Sequence, residues 1–163
     1  DMTSRTSRSI ATATSCTDGI AESSGGNFPC LDVDLEYHMP VSTFSSVEAN
    51  DVWGWTYYGT NGTDQPREFA LIGLMDGTGF VEITEPSDPI YIGKLPANGS
   101  NSPWRDLKTN GNYLFTVSEA GDHGMQIMDL TLLLNATPGT IFEASALYNK
   151  VGNIHNIAIN EDT

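Results

Sequence analysis

Three short strings with the same order of residue types carry the side chains best suited to chemistry: Asn50-Asp51-Val52, Arg105-Asp106-Leu107 and His155-Asn156-Ile157. Each is a polar pair followed by an aliphatic residue, and the second members lie 55 and 50 residues apart. If the strings open equivalent structural units, Asp51, Arg105, Asp106, His155 and Asn156 meet on one rim as a ring of carboxylate, guanidinium, imidazole and amide. Such a ring binds a polar ligand. With further imidazoles it would take a divalent metal, for which Asp106 and His155 are the candidate ligands. An enzyme built this way would use His155 and Asp106 to bind metal or transfer protons, and Arg105 to stabilise an anion. The bland alternative is structural: buried backbone groups at strand starts need partners, and these polar pairs would supply them between neighbouring units. Trp53 joins the rim as a ligand-binding candidate. With Trp55 and Trp104 it offers flat indole faces that suit sugar rings, although Trp at such places also fills the wedge between packed sheets. His123, in a Gly-flanked turn after Asp122, reads as a turn or interface residue, and His38 beside Met39 and Pro40 as structural.

The elements that must position this rim follow from a second repeat. Phe80-Val81-Glu82-Ile83-Thr84 is echoed 47 residues later by Ile127-Met128-Asp129-Leu130-Thr131. Periods of this size built from short strands mark propeller blades or another stacked β array, in which no unit buries its own apolar face without neighbours. The fold expected is all-β: a partial β-propeller of about two four-stranded antiparallel blades plus the first strand of a third. Blade 1 covers residues 51–95, with strands near 51–56, 67–73, 78–84 and 89–95. Blade 2 covers residues 104–147, with strands near 104–109, 112–118, 124–130 and 140–147. Residues 154–163 begin blade 3. Asn110-Gly111 is a tight-hairpin signal, and Asp129 to Leu134 suits a short helical turn. Residues 1–30, rich in Ser, Thr and Gly, read as a flexible arm, and the alternation Val33, Leu35, Tyr37 as one lead-in strand within residues 31–163, the propeller fragment. Two blades and an opening cannot close a ring, so the chain is expected to be a piece of a longer protein whose remaining blades are its first partners.

Composition narrows the function classes. Seven Lys and Arg against 21 Asp and Glu give a formal net charge of -14 over 163 residues, which repels nucleic-acid phosphates and anionic membranes. Cys16 and Cys30 are the only cysteines. In a secreted chain they read as a disulfide, worth about 3 kcal/mol for a loop of about fifteen residues. No CxxC spacing or adjacent His favours a redox or metal role. Sequons at Asn61, Asn98 and Asn135 fit the same compartment if the source is eukaryotic. No stretch of eighteen apolar residues spans a bilayer.

These residues resemble the choice-of-anchor B family of secreted proteins, whose propeller is assembled from LVIVD-type repeats. The resemblance runs from Cys16 to the C-terminus. It includes Phe28-Pro29 before Cys30, Val33 to Leu35, Trp53-Gly54-Trp55, Ala70 to Gly73, Phe80 to Thr84 with Pro86 and Pro89, Trp104 to Asp106, Ser118-Glu119, His123 to Met125, and Asn153 to Asn160. It departs in lacking the later His-containing blade openings. It implies a secreted or surface-tethered propeller with no established reaction.

Standard enzyme motifs are missing. There is no GxSxG elbow, HExxH pair, Walker or dinucleotide glycine fingerprint, or EF-hand loop. The reading is an extracellular or cell-surface module binding a protein or carbohydrate. Its alternatives are a metal-dependent enzyme at the channel mouth and a structural surface or matrix component.

Overall fold

The computed structural model describes residues 13–60 and 65–160. The sequon at Asn61 and the last three residues of the third opening lie outside the described residues. The chain divides into two units, Asp1–Pro40 with Glu85–Asp88 and Val41–Thr84 with Pro89–Thr163. In chain order the strands are β1 (Ile20–Ser23), β2 (Gly26–Pro29), β3 (Ala49–Tyr57), β4 (Arg67–Leu74), β5 (Gly77–Glu82), β6 (Ile90–Pro96), β7 (Arg105–Asn110), β8 (Tyr113–Ser118), β9 (Met125–Asp129), β10 (Thr140–Ile141) and β11 (Ala146–Tyr148). Short 3-10 turns occupy Val41–Phe44 and Leu130–Asn135. The protein is all-β, and the helical turn expected after Asp129 is present.

In the smaller unit, residues 13–30 have defined structure where a flexible arm was expected. The cause is local. Asp18 and Gly19 both take positive φ, 53° and 82°, the backbone a tight two-residue turn demands. That turn lets Thr17 and Ile20 exchange both backbone hydrogen bonds at 3.0 Å. It leads into the β1–β2 hairpin, paired from Ile20↔Pro29 to Ser23↔Gly26. The Cys16–Cys30 disulfide closes the same loop. The lead-in strand expected at Val33, Leu35 and Tyr37 does not form. Leu35 makes a single antiparallel bridge to Thr14, because Asp32 turns the chain at φ 56° and Asp34 accepts the Cys16 N–H at 2.8 Å.

The larger unit holds two sheets. The first is the antiparallel meander β3–β4–β5–β6, and the second is β7–β8–β9 with β11 on its edge. Strand-to-strand register confirms the repeat read from sequence. Leu71 pairs with Phe80 in the first sheet and Phe115 with Ile127 in the second, so Phe80 and Ile127 are equivalent. The acid-aliphatic-Thr strings also do the same job in both sheets. Thr84 Oγ1 donates to Glu82 at 3.0 Å, and Thr131 Oγ1 to Asp129 at 2.7 Å.

The stretch expected as one last strand at 140–147 is divided between the sheets. β10 adds in parallel to β6, and β11 pairs with β9. Phe142 anchors the departure, buried against Phe80 with ring centroids 5.4 Å apart. Gly93 permits it, since a Cβ there would lie 2.0 Å from the Thr140 carbonyl oxygen. The tight hairpin is displaced by one residue. Asn110 is paired with Tyr113, and Gly111 at φ 55° takes the turn with Asn112. Residues 154–160 form no ladder among the described residues, although Ile154, Ile157 and Ile159 are half-buried.

Alternation within the strands sends one set of side chains between the sheets. Phe69, Leu71 and Phe80 from the first and Leu107, Leu114 and Met128 from the second share one core, each at most 1% exposed. Trp55 belongs to that core, 5.1 Å from the Phe69 ring. Burying each such side chain contributes roughly 1.5–3 kcal/mol, which makes this core the main reason the sheets stay stacked. We predict that Gly93→Ala lowers stability by about 1–3 kcal/mol and frees β10. Denaturant unfolding measures the loss, and faster amide exchange at Gly139 and Phe142, whose N–H groups bond to β6, locates it.

Candidate functional site

The three openings are brought together, and their polar side chains are spent largely on backbone. Asn50 Nδ2 donates to the Arg105 carbonyl at 2.8 Å, and Asn50 Oδ1 accepts the Arg105 N–H at 3.2 Å. Asp51 Oδ1 accepts its neighbour Val52 N–H at 2.8 Å, and Oδ2 accepts Leu107 N–H at 2.9 Å. One unit later Asp106 repeats the pattern, with Oδ1 accepting Leu107 N–H at 3.1 Å and Oδ2 accepting Ile157 N–H at 2.7 Å. Each aspartate therefore holds its own following amide and the amide of the equivalent aliphatic residue in the next opening.

Asp106 carries two more donors, Lys108 Nζ at 2.5 Å and Asn156 Nδ2 at 3.4 Å. Burial alone would raise its carboxyl, but the Lys108 bond, the Ile157 amide and the Lys108 charge outweigh burial and hold it below the usual carboxylate value. A carboxylate with four donors has little capacity left for a cation. Among the described residues no group of three or more His, Cys, Asp or Glu is arranged to hold a metal.

Arg105 departs from the repeat. Its side chain turns inward and the residue is 3% exposed. Nε donates to the Leu74 carbonyl at 2.6 Å, Nη2 to Met75 at 3.4 Å, and Nη1 meets His123 Nε2 at 2.7 Å. His123 is fully buried, and its Nδ1 lies 3.0 Å from the Gly124 carbonyl oxygen. A carbonyl only accepts, so Nδ1 carries the proton and Nε2 is the lone pair that receives the guanidinium. Burial lowers the Arg105 pKa to about 10, leaving it charged at neutral pH. Burial, with the Arg105 charge adding to it, also lowers His123 below the ordinary imidazole value. His123 is thus an interface residue, as its turn position suggested, and Arg105 is a buried tie between the sheets.

His155 stays at the surface, its side chain 63% exposed. Its Nδ1 contacts the Glu119 carboxylate, and its ring lies 6.3 Å from Trp104, itself 53% exposed. Asn50, Asp51, Trp104, Arg105, Asp106, His155 and Asn156 line an open cleft of about 230 Å³. Trp53 is not part of that lining. Its Nε1 donates to Thr109 Oγ1 at 3.0 Å, and Lys108 Nζ sits 4.3 Å above its ring. Glu119 is the residue sequence reasoning missed, although the repeat points to it. Arg105 reaches Leu74 and Met75 at the end of β4, and His155, one unit on, reaches the residue after Ser118 at the end of β8.

The remaining singled-out residues lie elsewhere. His38, in the smaller unit, packs on Phe28 with centroids 4.9 Å apart. Asn98 Nδ2 donates to the His123 carbonyl at 2.8 Å, while Ser100 Oγ bonds to Asp122 at 3.1 Å, so that sequon is committed to internal bonds. Asn135 is exposed at the end of its 3-10 turn. No family model, curated protein or solved structure matches the chain.

Asp106 and His123 both bind protons less readily folded than unfolded. Each contribution to stability is complete above the unfolded value, 3.8 for Asp106 and 6.5 for His123, and is lost as pH falls through the folded value. We predict a stability plateau above about pH 6.5, a first decline below it and a steeper one in the carboxylate range. His123→Gln should flatten the first decline. Asp106→Asn should cost about 2 kcal/mol at neutral pH and shallow the second without abolishing it, because Asp76 and Glu82 are also held low. Thermal melts across pH read both effects.

Proposed function

We propose that this chain is part of a secreted or surface-tethered β-propeller and acts as a binding module whose cleft takes a carbohydrate. The observation that carries this reading is the exposed group at the cleft mouth. Trp104 offers a flat apolar face, and beside it His155 is fixed through Nδ1 by Glu119, leaving Nε2 for a polar ligand. An aromatic plane next to an oriented hydrogen-bonding group suits a pyranose ring, which presents a C–H face and hydroxyl edges. The net charge of -14 favours neutral or amino sugars over acidic ones. The disulfide is consistent with an oxidising compartment, and the serial stacking of repeated sheets and the resemblance to the choice-of-anchor B family support the propeller.

Asn50, Asp51 and Asp106 line the cleft and belong to the structure, since their oxygens already hold backbone amides. A metal-dependent reaction would first have to strip Asp106 of its donors, so binding is the better account.

A glycan array identifies the ligand class, and tryptophan fluorescence titration with the strongest hit measures affinity. Trp104→Ala should weaken binding at least tenfold, and Glu119→Gln, which disturbs the His155 orientation, severalfold, with circular dichroism unchanged. No binding by the folded chain, or binding indifferent to Trp104→Ala, overturns the reading.

A further inference from the structure

The loop that joins β8 to β9, residues 119–124, carries two titratable groups in opposite surroundings. At its start the Glu119 carboxylate meets His155 Nδ1 at the cleft mouth, and the Glu119 N–H donates to the Trp104 carbonyl at 3.2 Å. Four residues on, the His123 ring is fully buried and its Nε2 receives Arg105 Nη1 at 2.7 Å. Arg105 directly follows Trp104, so both exposed groups of the mouth are joined to the buried pair, Trp104 through the chain and His155 through Glu119. The path between the two ends is tied at each step. The His123 N–H bonds to the Ala120 carbonyl at 3.1 Å, and the Ala120 N–H to Ser118 Oγ at 3.2 Å. The segment leading to His155 leans on the same loop: the Ile154 N–H bonds to the Ser118 carbonyl at 2.9 Å, and a Cβ at Gly152 would lie 2.3 Å from the Gly121 carbonyl oxygen.

The buried pair has room for one charge. His123 Nδ1 gives its proton to the Gly124 carbonyl, which leaves the Nε2 lone pair as the place for a second proton. A proton there breaks the Nη1–H···Nε2 bond, because both atoms then donate, and sets an imidazolium against a guanidinium where little water screens them. Among the described residues no carboxylate bonds to either ring. Asp122 has its oxygens on the Ser100 N–H and hydroxyl. Asp76, whose charge acts on Arg105, is held by Lys94 and by Ser46, each at 2.7 Å. Gln126 on β9 is neutral and gives its Nε2 to the Pro96 carbonyl at 3.0 Å. Burial, with Arg105 adding to it, holds His123 below the ordinary imidazole value, so the second proton enters only in acid.

We propose that the Arg105–His123 pair is an acid-operated latch on the cleft: a proton on His123 Nε2 drives residues 119–123 away from Arg105, withdraws Glu119 from His155 and opens the Ile154 contact with Ser118. The mouth is then ordered at neutral pH and loosened in acid. The latch rests on the binding reading of the cleft for its use, and on the buried pair alone for its movement. A proton on His155 works the other way, since an imidazolium grips an ionised Glu119 more firmly. Loosening therefore follows His123 and not His155, which makes the two titrations separable.

The test follows the imidazoles of His38, His123 and His155 by nuclear magnetic resonance, with amide exchange corrected for its intrinsic pH dependence, on the 163-residue chain from about pH 7.5 to about pH 4.5. The Glu119 and Ile154 amides should exchange at least roughly tenfold faster as the His123 signal titrates, and the His155 signal should shift with them. Leu107 and Ile157, held by aspartates, should stay protected over the same range, which marks the change as local. His123→Gln, which keeps a neutral acceptor for Arg105, should hold the Glu119 and Ile154 amides protected throughout. Glu119→Gln should leave the His123 titration in place and remove the linked change at His155. Loss of Glu119 and Ile154 protection only together with Leu107, loosening in step with His155 instead of His123, or the same loosening in His123→Gln each overturns the proposal. Should His123→Gln not fold, the order of events in the unsubstituted chain decides alone. A failed carbohydrate titration leaves all of these readouts untouched.

Discussion

The larger unit depends on one repeated interaction: an aspartate side chain at the start of a sheet that accepts the backbone amide of the aliphatic residue opening the next. Strand openings at β3 and β7 present N–H groups to a sheet edge that has no ladder partner among the described residues, and a buried amide without a partner costs about 1–3 kcal/mol. Asp51 and Asp106 remove that cost and convert it into position. Holding the Leu107 amide fixes where the Leu107 side chain enters, and Leu107, with no exposed surface, lies in the middle of the shared core. The carboxylate bond thus sets the separation at which the two apolar faces interdigitate. Packing supplies most of the energy, and the aspartates supply the register.

The same place in the repeat shows how a scaffold position diverges. Asn50, Arg105 and His155 occupy the residue before the Asx. Asn50 spends its amide on the next opening's backbone, while Arg105 carries its charge inward to carbonyls at the end of β4 and to a neutral imidazole. His155 follows the direction of Arg105, but the residue it meets is an exposed carboxylate. A buried guanidinium is costly to desolvate and stays only because carbonyls and His123 receive its protons. At the third opening the imidazole stays in solvent beside Trp104.

Much of this was legible in the sequence. The polar-polar-aliphatic openings and the acid-aliphatic-Thr strings gave the period, and the structure pairs those residues as equivalents. Strand positions came within a few residues because alternation is strong where one face is buried, as in Phe69, Leu71 and Gly73. What could not be read depended on distant contacts. Nothing local shows that Thr140 and Ile141 leave the second sheet, since the reason is the missing Cβ of Gly93 and the pocket for Phe142. Composition likewise hid the ordered turn at Asp18-Gly19, although that dipeptide is itself a turn signal. Of the three tryptophans only Trp55 entered the core; Trp53 met Thr109 and Lys108, and Trp104 stayed exposed. Burial of His123 depended on Arg105 arriving from another strand. Asp51, Arg105, Asp106, His155 and Asn156 line one cleft while Trp53 lies outside it, and the two aspartates of that cleft hold backbone amides.

The measurement that most directly tests this account is residue-resolved amide hydrogen exchange followed by nuclear magnetic resonance at neutral pH. The amides of Leu107 and Ile157, each held by an aspartate of the preceding opening, should be protected at least a hundredfold more than Val52. Among the described residues the Val52 N–H is received by its own Asp51 and by no aspartate of another opening, and Val52 lies 61% exposed. Leu107 and Ile157 amides that exchange as fast as Val52 would contradict the claim that aspartate bonds between openings hold the sheets in register.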